Sequence, residues 1–186
     1  MKIISIEDNT NPKFIKTKKV VFEKDGKTMK WEIIEKHDSV HILVNNIETK
    51  EIFMVQQVRI PVFLKDTSLN GVMTEMCAGL VDKNKDLIEI AKEEVLEELG
   101  YNVDISNIKF LKTIKSSVGS SGNNANLFYV EINETQKVSN GGGIQLEDIT
   151  ILKIPYSKID DFINNDKNYH FDAVSLYLLE ISKKYI

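Results

Sequence analysis

Four glutamates, Glu93, Glu94, Glu97 and Glu98, crowd the end of one short stretch of this chain, AGLVDKNKDLIEIAKEEVLEELGY at residues 78–101. Carboxylates at this density can take protons from water or hold a hard divalent cation such as Mg²⁺ or Mn²⁺, most readily where a substrate phosphate completes the shell. If the stretch is helical, Glu94 and Glu98 stand side by side, one turn apart. Like charges at that spacing repel, and acids near a helix C-terminus oppose the macrodipole. A bound cation relieves both. The pattern alone also fits a solvated acidic face, since exposed glutamates make up much of any protein surface.

The elements that would position these acids follow from their neighbours. Asp86 followed by Glu89 reads as a capping-box start, and Gly100 as a left-handed stop. Leu87, Ile88, Ala91, Val95 and Leu99 fall on one arc of the helix and should face a core. Glu94, Glu97 and Glu98 occupy the neighbouring arc.

The spacing adds a further constraint. Gly79, Glu94, Glu97, Glu98 and Gly100 fall at the offsets of G-x5-E-x7-R-E-U-x-E-E-x-G-U, with Val95 and Tyr101 in its two bulky apolar slots. The chain thereby resembles the Nudix hydrolases, which cleave nucleoside diphosphates linked to a further group. Two positions depart from the pattern: Lys85 stands at the first Glu and Glu93 at the Arg. A charge-reversed pair at these two positions is one expectation. The resemblance implies an α+β fold, a Nudix α/β/α sandwich with a mixed sheet between helices and an N-terminal antiparallel sheet extension. It also implies metal binding by Glu94, Glu97, Glu98 and the backbone carbonyl of Ala78, with Mg²⁺ or Mn²⁺ as cofactor.

A second group of residues lies upstream. Arg59 is the only arginine among 24 basic residues, and its planar guanidinium suits phosphate better than lysine does. It occupies Gln57-Val58-Arg59-Ile60-Pro61, similar to the Q-x-R-x-P/A segment of the ADP-ribose and nucleoside diphosphate sugar pyrophosphatase branch. That resemblance implies substrate contacts from Arg59 and Glu75. The small-residue loop Ser116–Gly122, Ser120 within it, is expected to border the substrate. Gly141-Gly142-Gly143 reads either as a hinge for a closing loop or as a floppy hairpin. Beyond it Glu147 matches a proposed catalytic base of the branch, with Glu97 the other catalytic candidate. Gln145 stands where the ADP-ribose enzymes carry an extra Glu, and an amide cannot serve as a base. The GGG…EDI pattern looks most like that of GDP-mannose and UDP-sugar pyrophosphatases.

Across the whole chain, 186 residues with 42% hydrophobic content suffice for one sizeable core. A net charge of −4 argues against a nucleic-acid-binding surface and for a free nucleotide as ligand. Cys77 is the only cysteine, which rules out an internal disulfide framework and suits a reducing compartment. It reads as buried filler. No signal segment or membrane-length apolar run is read, so a cytoplasmic protein is expected.

Strands are expected at 19–23 and 29–34, joined by the Asp25-Gly26 turn, and at 40–44, 52–58, 108–114, 126–130 and 149–154. Helices are expected at 156–163 and 171–185. Residues 1–45 form an N-terminal β region, which the resemblance makes a homodimer interface, and 46–186 the Nudix domain. His37, His41 and His170 read as ordinary structural or edge residues. The function expected is Mg-dependent hydrolysis of a nucleotide sugar such as ADP-ribose, UDP-glucose or GDP-mannose. The alternative is a catalytically weakened domain that binds such a ligand as a sensor. An RNA-binding role is disfavoured by the acidic balance, and no membrane partner is expected.

Overall fold

A computed structural model describes residues 3–13, 15–144, 147–164 and 169–186, apart from the side chain of Leu69. Nine strands and four α-helices are found among them. Strands β1 (Lys16–Lys24) and β2 (Lys27–Glu35) form a separate antiparallel hairpin. Its turn places Asp25 and Gly26 both at positive φ, 53° and 71°, the arrangement a tight hairpin needs. Both strands are longer than their apolar centres suggest.

The other seven strands make one mixed sheet: β3 (Ser39–Asn46), β4 (Glu51–Val58), β5 (Val72–Glu75), β6 (Cys77–Leu80), β7 (Ile108–Lys115), β8 (Asn124–Ile132) and β9 (Thr150–Pro155). Strand β3 runs parallel to β8 and antiparallel to β4 and β6. Ile42, Leu43 and Val44 of β3 are all fully buried, the unbroken apolar run of a strand covered on both faces. Ser39–Asn46 is therefore the middle of the main sheet, so the separate N-terminal unit ends at Glu35, short of the expected boundary at residue 45.

Two helical layers cover the sheet. On one face the helix α2 (Leu87–Glu94) continues as a π-helical turn, Val95–Leu99, and buries Ile90, Ala91, Val95 and Leu99 against Val40, Ile42, Val44, Phe53 and Val55. Leu87 and Ile88 pack at the margin of that core. Ile90 was not in the expected arc; it lies beyond Glu94 on the helix, so the buried face is wider than the apolar residues alone indicated. On the other face α3 (Ile159–Asn164) and α4 (Ala173–Ser182) cover Leu43, Ile52, Met54 and Leu127. This is the α/β/α sandwich expected. A short helix α1 (Ile60–Lys65), with Pro61 in its first turn, follows Arg59 and was not foreseen. None of the described helices is long and apolar enough to cross a membrane.

Candidate metal and diphosphate site

The glutamates of α2 reach a cleft of about 620 Å³ because the helix lies against β6 with almost no space between them. A Cβ on Gly79 would sit 1.9 Å from Glu94 Oε1 and 2.1 Å from its Cδ. The first glycine of the motif is thus required for close approach. One turn on, Glu98 is only 4% exposed, and its Oε2 accepts the Ala78 N–H at 3.1 Å. Cys77 lies against the same carboxylate; it is fully buried, and burial raises its thiol pKa well above the usual value. It is filler, as expected, with a contact to the acid above it.

Burial also controls the charge of the acids. It pushes the Glu98 carboxyl up to about 8, against the opposing hydrogen bonds from Cys77 and Ala78. Burial first, and then repulsion from Glu97, pushes Glu94 up to about 7. These are two hard-oxygen donors whose charged forms are disfavoured without a counter-ion, and they share one cleft with Glu97 and Glu147. The donor set fits a divalent cation. Among the described residues no three His, Cys, Asp or Glu side chains already form a group able to hold a metal ion. A cation here would complete its shell with water and substrate oxygens, as small hard ions do.

The helix stops at Gly100 as the sequence indicated, but the segment that caps it was not foreseen. Gly100 is left-handed, with φ 83°, and its N–H bonds to Leu96 O at 3.0 Å. The three-glycine segment then caps the remaining carbonyls: Gly142 N–H donates to Glu98 O at 2.8 Å and Gly143 N–H to Glu97 O at 3.1 Å. A Cβ on Gly141 would lie 2.3 Å from Glu98 O, and one on Gly100 would lie 2.3 Å from Ser139 O. Gly141–Gly143 is therefore a fitted C-cap, where a hinge or a floppy hairpin was expected. It carries Glu147 into the cleft. The Glu147 carboxylate accepts the Ile144 N–H at 3.0 Å, and its Cβ occupies the space a side chain on Gly143 would need. Gln145 lies outside the described residues.

Across the cleft, Arg59 and Glu75 are joined by two hydrogen bonds, Nε to Oε1 at 2.9 Å and one from the terminal guanidinium to Oε2 at 2.5 Å. Both line the cleft, and the pair holds the guanidinium plane fixed. Ser120 is not among the lining residues. Its carbonyl accepts the Ile34 N–H at 2.9 Å, tying the loop to the hairpin, while Ser116 and Asn123 from the same loop line the cleft. His41 and Asp172 also line it. By sequence His41 reads as an ordinary structural or edge residue and Asp172 does not stand out, because neither belongs to a local motif. His41 Nε2 lies 2.9 Å from Ser39 Oγ, whereas its buried Nδ1 has no hydrogen-bond partner among the described residues.

The two departures from the motif meet. Lys85 Nζ bonds to Glu93 Oε1, and Lys83 Nζ donates to Glu93 Oε2 at 3.0 Å. The charge-reversed pair expected at 85 and 93 is formed, with a second lysine added.

Two outcomes follow from this geometry. Gly79→Ala collides only with the movable end of Glu94, so it should fold with a melting temperature near that of the parent. It should nonetheless lose about 10–100-fold in divalent-cation affinity by calorimetric titration, the usual loss when a ligand's support is removed. The second outcome concerns pH. Folded Glu94 and Glu98 hold protons that the unfolded chain releases near 4.5, so stability is fully present below that value and falls as pH rises through about 7 to 8. Thermal melts in chelator should show this decline, shallower in Glu98→Gln, and added divalent cation should raise the melting temperature more at pH 8.5 than at pH 6.

No family model matches the chain. It is 28% identical over 165 residues to the uridine diphosphate glucose pyrophosphatase of Mus musculus, covering 75% of this chain and 74% of that protein. The GDP-mannose pyrophosphatase of Escherichia coli strain SMS-3-5 is 29% identical over 142 residues, with coverages of 75% and 72%. A crystal structure of an ADP compounds hydrolase superposes with a TM-score of 0.72 over 99% of this chain and 92% of its own, at 14% identity, a likeness of fold. With the motif spacing and the sandwich around it, these likenesses support an enzyme of the Nudix nucleoside diphosphate sugar pyrophosphatase branch.

Proposed function

We propose that the protein hydrolyses the diphosphate bond of a nucleotide sugar of the UDP-glucose, GDP-mannose or ADP-ribose type, using Mg²⁺ or Mn²⁺. The observation that carries this reading is one cleft lined on one side by Glu94, Glu97, Glu98 and Glu147 and on the other by the Arg59–Glu75 pair. Water attacks one phosphorus, the bridging P–O bond breaks, and its electron pair leaves on the oxygen of the second phosphate. The products are a nucleoside monophosphate and a sugar phosphate.

Glu94, Glu97, Glu98 and the carbonyl of Ala78 would hold the metal, which when bound lowers the pKa of water and neutralises phosphate charge. Glu147 would take the proton of the attacking water, with Glu97 the other catalytic candidate among the acids lining the cleft. Arg59 orients the diphosphate, and Glu75 keeps its guanidinium aimed. A phosphate-release assay with Mg²⁺ on ADP-ribose, UDP-glucose and GDP-mannose tests the reading. Turnover of at least one is expected, with Glu98→Gln losing it by about 100-fold or more while remaining folded. Binding of all three without turnover would sink the proposal and leave the sensor alternative.

We further propose that the hairpin β1–β2 is the homodimer interface. An isolated two-stranded hairpin is marginal in water, yet this one leaves Val21 59% and Trp31 54% exposed. Sedimentation velocity should find a dimer at micromolar concentration and a monomer for Trp31→Glu; a monomeric parent protein would refute the assignment.

A further inference from the structure

The charges around Glu93 do not balance. Lys83 and Lys85 both bond to its one carboxylate, so the three groups carry a net positive charge. Arg59 and Glu75 across the cleft cancel. A diphosphate entering the cleft therefore meets, beside the acids, a lysine that the Glu93 carboxylate does not need for its own neutralisation. Of the two lysines, Lys83 lines the cleft beside Glu94 and Glu97, and Lys85 is not among the lining residues. Lys83 is 43% exposed, and its ammonium sits on a flexible four-carbon stem. Its bond to Glu93 raises its pKa, so it stays charged. An exposed ion pair of this kind holds only weakly and exchanges partners at little cost.

We propose that Lys83 is a substrate-binding residue, drawn to the phosphates of an anionic ligand while Lys85 alone keeps Glu93 paired. The inversion of the motif at 85 and 93 makes this exchange available. Lys85 alone can neutralise Glu93, which leaves Lys83 able to exchange Glu93 for a second partner. The proposal rests on the reading that the ligand carries a diphosphate.

The test uses a methylene-bridged ADP-ribose analogue, whose P–C–P link resists hydrolysis, titrated calorimetrically with Mg²⁺ into the intact protein. Lys83→Met should weaken binding about tenfold and flatten its salt dependence, as expected for one charge-assisted contact; Lys83→Arg should retain it, and Lys85→Met should weaken it less. On a hydrolysed substrate, Lys83→Met should raise KM more than it lowers kcat. The assignment is overturned if Lys83→Met binds as the parent does, if Lys85→Met loses as much as Lys83→Met, or if the parent protein does not bind the analogue. A parent that binds the analogue but hydrolyses nothing would reject the enzymatic reading, while the variants' affinities would still decide the role of Lys83.

Discussion

Close approach of backbone to helix is the constraint on which the cleft depends. The last turns of α2 run against two chain segments that come nearer than any side chain would permit: Gly79 beneath Glu94, and Gly141 beneath the carbonyl of Glu98. The two contacts differ in kind. At Gly79 the obstruction is the far end of a glutamate, so the spacing sets where a functional group points. At Gly141 the obstruction is backbone, so the spacing sets whether the helix end is capped at all. Leaving the carbonyls of Glu97 and Glu98 without donors would cost about 1–3 kcal/mol each where they are out of reach of water.

That arrangement explains how so anionic a helix end persists. Acids at a helix C-terminus are opposed by the macrodipole, and Glu94 and Glu98 repel as neighbours. The N–H groups of Gly142 and Gly143 offset the negative pole, and Lys83 and Lys85 offset Glu93. Among the described residues neither Glu94 nor Glu98 forms an ion pair with a cation, and burial above all raises their pKa values. The fold thus caps the carbonyls of Glu97 and Glu98 and leaves two buried acids whose charge a divalent cation would restore.

What the sequence made legible was local. The helix, its start at Asp86 and Glu89 and its stop at Gly100 all lie within one stretch of chain, and all were found there. The meeting of Lys85 with Glu93 was legible for the same reason: both sit on one loop-to-helix segment. Contacts between distant segments left no such trace. The capping role of Gly141–Gly143 depends on a helix end far upstream, and composition alone suggested looseness. Ser120 belonged to a loop of donors, but which of them faced the cleft depended on where β2 crossed that loop. The place of β3 in the sheet is set by its pairing with β8, more than 80 residues further along the chain. His41 and Asp172 come from strand and helix ends that only the fold brings together.

The cap made by Gly142 and Gly143 also limits how this scaffold can diverge. Adding or deleting a residue between Val138 and Gly143 would pull donors off the helix end and disturb the acids behind it. Changes of length are tolerated only after Gly143, where the chain has finished with the helix and begins to border the cleft. A lineage adapting to a larger or smaller sugar would have to keep these glycines fixed in number and place and Glu147 at the cleft.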